Sequence, residues 1–249
     1  PFWLKREFAN KDYPKFVARY AAEFAKRYNG LIKWYTPLNE PHVNAVWCGQ
    51  RGIWPPYLRG EKGYIRMILQ LSKGIIKTVE ALKTVDPDAV IVHVEATGIS
   101  RSGHPDFDVK AANEQARTFL TFDLITGKVT SDHVLYNWLL QHDVDAKMLA
   151  EIADHPIALD IVGLNFYPQW STREFSYDEK GRPASKVVDK TGGGFTRLVE
   201  SYYERYQVPI LITETSARGS DKVRAEWLDA SLAAVKAMRG RGVPVLGYI

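Results

Sequence analysis

Two glutamates stand at the tips of apolar runs that we expect to be strands. Glu40 follows the run 31–38, and Glu214 follows the run 209–213. Glutamate is disfavoured in strands, and a charge at the end of a buried strand tends to mark a functional site. Two carboxyl groups on one rim could protonate a leaving oxygen and attack an anomeric carbon, which is the chemistry of glycoside hydrolysis. The alternative is that each glutamate caps a helix or pairs with a surface arginine.

The elements that must position these carboxylates are predicted from apolar periodicity. Helices are predicted over 12–28, 64–85, 109–124, 145–153, 195–206 and 221–238, and strands over 31–38, 89–94, 159–166, 209–213 and from 245 onward. Buried strands that alternate with helices imply a parallel sheet with right-handed crossovers. The expected fold class is therefore α/β.

Polar residues gather where the predicted strands end. They are Asn39, Glu40, Glu95, Asn165, Tyr167 and Glu214. In a TIM (β/α)8 barrel that rim carries the active site. A doubly wound sheet also binds ligands there, but no glycine-rich fingerprint follows any strand. Five strands do not close a barrel, so residues 1–249 are predicted to be a single barrel catalytic domain with strands 4 to 8, lacking the first strand–helix units and the C-terminal end.

Four short segments carry a pattern of their own: Thr36-Pro37-Leu38-Asn39-Glu40-Pro41, the loop residues Gly49, Gly52, Pro55 and Pro56, Gly163-Leu164-Asn165-Phe166-Tyr167, and Ile212-Thr213-Glu214. In this order they resemble the acid/base motif, the loop after it, the Gly-x-Asn-Tyr-Tyr segment and the nucleophile motif of glycoside hydrolase family 1. This is the β-glucosidase family of the clan A glycosidases. The order and spacing also match, so the resemblance extends over essentially the whole chain.

The resemblance implies a retaining β-glycoside hydrolase that works by double displacement through a covalent glycosyl-enzyme. Glu40 would be the general acid/base and Glu214 the nucleophile. Asn39 would donate to the sugar 2-hydroxyl, Tyr167 would hydrogen-bond the nucleophile, and Asn165 would line the same wall. The sequence departs from the family pattern after the nucleophile, where Thr215-Ser216 replaces Asn-Gly, and Phe166 replaces a tyrosine.

Three tryptophans are further candidates for substrate binding. Trp47 and Trp54 lie in the loop after Glu40, and Trp170 follows the strand that ends near Tyr167. Indole rings can stack on a sugar or an aglycone. Packing within the loop is the alternative for each of them.

Two polar residues in and just after the predicted strand 89–94 favour structural interpretations. His93 alternates with valines and is predicted to be a core histidine with its hydrogen bonds satisfied. Glu95 is expected either to pair with an arginine or to orient a neighbour in the pocket.

Composition excludes several function classes. The net charge of +4 is spread along the chain, and no run of eighteen apolar residues occurs, so neither a nucleic-acid nor a membrane partner is predicted. A single cysteine excludes an intrachain disulfide, and the six histidines lack paired ligand spacing, so no metal and no cofactor is expected.

The remaining partner predictions concern carbohydrate and protein. The expected substrate is a β-glycoside or an oligosaccharide, and the expected protein partner is the rest of the barrel or a second copy of the chain. Localisation is not fixed by the sequence, and the cytoplasm is the default. Two alternatives to a β-glucosidase-like activity stay open: an endo-acting clan A glycanase and a catalytically inactive carbohydrate-binding barrel.

Overall fold

The computed structural model describes residues 4–188 and 192–249. The chain divides into two compact units. The first comprises Pro1–His93 and Phe119–Asp160, and the second comprises Val94–Thr118 and Ile161–Ile249. None of the helices in the described ranges is long and apolar enough to cross a membrane.

Helices and strands alternate along most of the chain. The helices are α1 (Tyr13–Arg27), α2 (Pro41–Asn44), α3 (Gly60–Val85), α4 (Asp108–Arg117), α5 (Leu120–Ile125), α6 (Tyr136–Gln141), α7 (Ala146–Ala153), α8 (Pro168–Ser171), α9 (Phe195–Tyr206) and α10 (Asp221–Gly240). The strands are β1 (Trp34–Tyr35), β2 (Val90–Ala96), β3 (Ile99–Ser102), β4 (Ile161–Phe166), β5 (Thr172–Tyr177), β6 (Pro183–Val187), β7 (Ile210–Thr215) and β8 (Val245–Tyr248). A π-helical segment, Ala45–Gln50, follows α2 directly.

The first unit is built on the long helix α3, which packs along α1. A β-carbon added to Gly74 of α3 would lie 2.4 Å from Cε1 of Tyr13, so the two helices can approach this closely only because residue 74 is glycine. In the same unit β1 pairs in parallel with the start of β2, with Tyr35 opposite Ile91. The carboxyl end of β1 leads to Glu40.

The second unit contains the end of β2, then β4, β7 and β8 as successive neighbours in one sheet. The β4–β7 and β7–β8 pairs are parallel. All six residues of β4 are buried, as expected for a strand covered on both faces. A second sheet in this unit has the order β3-β5-β6, with β3 parallel to β5 and β5 antiparallel to β6.

The sequence predicted five strands in chain order, joined by helices, and this α/β architecture is confirmed. The single helix predicted over 109–124 is wrong, because α4 ends at Arg117 and α5 begins at Leu120. Two hydrogen bonds explain the break at Thr118. Its hydroxyl donates to the carbonyl of Gln115, and its own carbonyl accepts from the hydroxyl of Tyr202, which is distant in the chain.

His93 lies in the core of the first unit, but the prediction that its hydrogen bonds are satisfied is wrong. Its side chain is completely buried, and its ring meets Phe122 edge-on with centroids 4.4 Å apart. Neither ring nitrogen has a hydrogen-bond partner among the described residues. Burial therefore lowers the pKa of His93 from 6.5 to about 3.

This burial predicts acid sensitivity with a definite sign. The folded-state pKa of His93 lies below its unfolded value, so between pH 6.5 and pH 3 the unfolded chain binds a proton that the folded chain excludes. The contribution of neutral His93 to stability is therefore lost as pH falls through this window. Relative to His93→Leu, the free energy of unfolding of the wild type should fall by about 2 kcal/mol more between pH 7 and pH 5.

Urea unfolding at the two pH values measures this difference. His155→Gln, at an exposed histidine of the same unit, is the control and should follow the wild type. Equal pH dependence in the wild type and His93→Leu would contradict the prediction.

Candidate active site

Glu214 belongs to the second unit and occupies the penultimate position of β7. The β4–β7 register shifts at Leu164/Asn165, so that Asn165 lies opposite Glu214 and Thr213 is passed over in the ladder. Such a bulge re-aims side chains at the end of a strand. The hydroxyl of Tyr167, just beyond β4, donates to Oε2 of Glu214 at 2.8 Å.

Asn165 lies directly beside this pair. It is buried, and its Oδ1 accepts a hydrogen bond of 2.6 Å from the hydroxyl of Thr213. Its backbone carbonyl accepts from the backbone N–H of Thr97 at 3.0 Å. The structure thus brings Asn165, Tyr167 and Glu214 together at the carboxyl ends of two neighbouring parallel strands.

Glu40 belongs to the first unit and is held in an unusual backbone conformation. Glu40 precedes α2 with φ 49° and ψ 57°, in the left-handed region, and it is half-buried. This conformation costs a non-glycine residue on the order of 1–3 kcal/mol and persists only where the surroundings enforce it. The backbone N–H of Asn44 donates to the carbonyl of Glu40 at 3.0 Å. The Asn44 side-chain amide donates to the same carbonyl at 2.9 Å and to that of Asn39 at 3.0 Å.

Asn39 itself is exposed and directly precedes Glu40. Asn44 therefore ties both residues of the Asn-Glu pair to the first turn of α2. Neither apolar periodicity nor the motifs indicated this role for Asn44. The only signal in the sequence is an asparagine four residues after the glutamate. In a helix, residues four apart are neighbours across one turn, so Asn44 can reach Glu40 if a helix begins after Glu40.

Trp47, in the π-helical segment Ala45–Gln50, contacts Trp54 in the loop that follows this segment. Their ring centroids are 4.8 Å apart, and the backbone N–H groups of Ile53 and Trp54 donate to the carbonyl of Trp47. The two rings therefore pack against each other. Trp54 keeps 42% of its surface exposed, which leaves area for a stacking contact.

Trp170 and Glu95 differ in exposure. Trp170 lies in α8 with 54% of its surface exposed, and its ring centroid is 5.3 Å from that of Tyr167. Glu95 is completely buried near the end of β2, where its Oε1 accepts from the backbone N–H of Ala96. Trp170 is therefore exposed beside Tyr167, whereas Glu95 is enclosed.

Sequence reasoning also missed the surroundings of Thr215. Its hydroxyl donates to the carbonyl of Phe166 at 2.6 Å and accepts from Nε1 of Trp227 at 2.9 Å. Thr213 and Thr215 flank Glu214 and both bond to β4. The alternation of threonines around a glutamate was the available signal, but it does not identify the strand that they contact.

Comparison with known proteins defines the fold of which this chain is a part. No protein-family model matches the chain. The chain has the fold of part of the (β/α)8 barrel found in family 1 β-glucosidases, which confirms the resemblance seen in the motifs at the level of the fold. A family 1 β-glucosidase from Thermotoga maritima superposes with a TM-score of 0.82 and 18% identity, over 97% of this chain and 58% of that chain.

Two ligand complexes described as β-glucosidases from the same organism give similar values. The complex with cyclophellitol has a TM-score of 0.84 at 19% identity, and the complex with isofagomine lactam has 0.83 at 20%. Each covers 99% of this chain and 60% of the solved chain. The chain therefore spans about three fifths of these structures.

One curated relative is similar over a shorter stretch. The chloroplastic galactolipid galactosyltransferase SFR2 of Arabidopsis thaliana is 32% identical over 103 residues, which covers 36% of this chain and 16% of the relative.

Proposed function

We propose that this chain carries both catalytic carboxylates of a retaining β-glycoside hydrolase, with Glu214 as nucleophile and Glu40 as general acid/base. The observation that carries the proposal is the hydrogen bond from Tyr167 to Glu214 at the carboxyl end of β7, in a fold shared with family 1 β-glucosidases. In a (β/α)8 barrel this end of the strands is the catalytic face.

The proposed reaction has two displacements at the anomeric carbon. In the first, Oε1 of Glu214 attacks this carbon while the bond to the aglycone oxygen breaks, and Glu40 gives that oxygen its proton. In the second, Glu40 as carboxylate takes a proton from water, whose oxygen attacks the same carbon and releases Glu214. The configuration is inverted twice and thus retained.

The contacts around Glu214 suit the first displacement. Tyr167 donates to Oε2, which fixes the rotation of the carboxylate and presents Oε1 as the attacking oxygen. A defined position of the nucleophile matters because misplacement by about 1 Å can cost on the order of 10²-fold in rate. Asn39 would contact the sugar 2-hydroxyl, with Asn165 as part of the pocket wall. Trp170, Trp47 and Trp54 would contact outer parts of the substrate.

Covalent trapping tests the proposal most directly. A 2-deoxy-2-fluoro-β-glucoside with a dinitrophenolate leaving group should form a glycosyl-enzyme that turns over slowly. Intact-mass measurement should show the addition of one fluoroglycosyl group, and peptide mapping should place it on Glu214. Tyr167→Phe, which removes only the hydroxyl, should label more slowly at the same residue.

The protein must first be shown to hydrolyse an aryl β-glycoside, so that trapping is done on an active form. Label on another residue, or turnover with no covalent adduct, would contradict the assignment of Glu214. Failure of every tested form of the protein to hydrolyse aryl β-glycosides would favour a carbohydrate-binding barrel.

Glycosyl transfer is a second candidate, favoured by the similarity to a galactosyltransferase. The same glycosyl-enzyme would then react with the hydroxyl of a sugar acceptor instead of water. Product analysis with an aryl β-galactoside and a galactoside acceptor separates the two, since a transferase should convert most of the donor to the longer glycoside.

A further inference from the structure

The hydroxyl of Thr215 links two parts of the second unit through hydrogen bonds of fixed direction. An indole nitrogen can only donate and a carbonyl can only accept. The indole N–H of Trp227 must therefore donate to the hydroxyl of Thr215 at 2.9 Å. The hydroxyl of Thr215 must in turn donate its single proton to the carbonyl of Phe166 at 2.6 Å. The three groups form one series of hydrogen bonds that runs from α10 through β7 to β4.

This series of hydrogen bonds lies next to the proposed nucleophile. Thr215 follows Glu214, and Phe166 precedes Tyr167. The Thr215–Phe166 bond therefore joins the same two strand ends that the 2.8 Å Tyr167–Glu214 bond spans. On the other side Thr213 bonds to Asn165. Three consecutive residues of β7 are thus each bonded to one of the residues 165–167, at the end of β4 and just beyond it.

Trp227 is itself held rigidly, so its N–H points in one direction. Its ring stacks on Phe166 with centroids 5.7 Å apart and meets Phe195 edge-on at 5.6 Å. A β-carbon on Gly192 would lie only 2.1 Å from the indole ring, so the backbone passes directly against it. The indole is buried, and rotation would break both ring contacts.

We propose that Thr215 and Trp227 are positioning residues that set the spacing between β4 and β7, and thereby the Tyr167–Glu214 hydrogen bond. The proposal rests on the proposed function of Glu214. It assigns a role to one of the positions at which the sequence departs from the family pattern, since Thr215 stands where asparagine is expected. Neither residue touches the reacting atoms in this proposal.

A set of matched variants separates positioning from packing. Thr215→Val keeps the shape and removes the hydroxyl, Thr215→Ser keeps the hydroxyl, and Trp227→Phe removes the indole N–H. Thr215→Val should slow covalent labelling by the 2-fluoro glycoside about 10- to 100-fold, because the nucleophile is displaced. Thr215→Ser should label close to the wild-type rate, and Trp227→Phe should fall between them.

The pattern of leaving groups provides a readout that a purely structural role would not move. Loss of nucleophile positioning should lower kcat/KM, which reports glycosylation, by a similar factor for good and poor leaving groups. A fall in melting temperature with unchanged kcat/KM would mean that Thr215 only stabilises the fold. Equal losses in Thr215→Val and Thr215→Ser would overturn the role of the hydroxyl.

Crystal structures of the wild type and Thr215→Val test the inference independently of activity. The distance from the Tyr167 hydroxyl to Oε2 of Glu214 should increase beyond hydrogen-bonding range in the variant. If the wild type forms no adduct but the distance is still longer in Thr215→Val than in the wild type, the proposed function fails and the positioning role stands. If the wild type labels at Glu214 while distance and rate are unchanged in Thr215→Val, the positioning role fails and the function stands.

Discussion

Replacing Glu214 with glycine should lower turnover of an aryl β-glycoside by on the order of 10⁴- to 10⁶-fold, the loss that single catalytic residues reach in other enzymes. No glycosyl-enzyme can form without the carboxylate. In the proposed mechanism the cavity left by the side chain would face the anomeric carbon on the side opposite the leaving group. Added azide should therefore attack from that side and yield an α-glycosyl azide, which NMR spectroscopy identifies.

Glu179→Gly provides the matched control for this experiment. Glu179 is an exposed glutamate of the same unit, in the turn between β5 and β6, and its replacement should leave the rate unchanged. A β-glycosyl azide from Glu214→Gly would mean that Glu214 is the acid/base and that the two roles are exchanged. A near-normal rate without azide would remove Glu214 from the mechanism.

The parts of the fold that the sequence predicted well are those fixed by local patterns. Helix α9 was predicted over 195–206 and occupies these residues, because an apolar stripe lies between a glycine run and a left-handed Gln207. The β4 run is apolar throughout and forms a strand with both faces buried. In such segments the period of the apolar residues and the local composition are enough to predict the secondary structure.

The parts that could not be predicted depend on contacts between distant segments. The break between α4 and α5 is fixed by Tyr202, which lies 84 residues after Thr118. The small sheet was missed because β6 is exposed at four of its five positions and has no apolar alternation. Its pairing with β5 is decided by the tight turn around Asp178, where Arg182 folds back onto the aspartate.

The candidate site shows the same division. The motif around Tyr167 suggested a hydrogen bond to Glu214, and the structure contains that bond at 2.8 Å. The Thr215–Trp227 bond joins residues only 12 positions apart, yet nothing in the sequence indicates it. Its formation depends on how α10 packs beside β7, which periodicity does not specify.

The two proposed catalytic carboxylates are supported by different means. Glu214 lies near the end of β7, directly after a bulge in the β4–β7 ladder, and a side-chain hydrogen bond from Tyr167 orients its carboxylate. Glu40 sits in a left-handed backbone conformation that Asn44 secures through the carbonyls of Asn39 and Glu40. A nucleophile needs one exact attack geometry, whereas an acid/base must serve both the leaving group and the incoming water. The effects of removing the two residues should therefore differ in kind.

Replacing Glu40 with alanine should reduce the rate selectively. Proton donation by a positioned acid is worth about 10²–10⁴-fold, so glycosides with poor leaving groups should lose that factor in kcat/KM. Dinitrophenolate leaves without a proton, so glycosylation of Glu214 should proceed at nearly the wild-type rate. Hydrolysis of the intermediate then lacks its base, so the glycosyl-enzyme should accumulate and appear as a burst followed by slow turnover.

Azide reports the same step through stereochemistry. It needs no base, and in Glu40→Ala it should attack the accumulated intermediate from the face that water would use, giving a β-glycosyl azide and restoring turnover. Glu23→Ala, at an exposed surface position of α1 in the same unit, should behave as the wild type. If Glu40→Ala instead slowed all leaving groups equally, or gave the α-azide, Glu40 would not be the acid/base. The opposite azide configurations from the two variants are the result that fixes both roles at once.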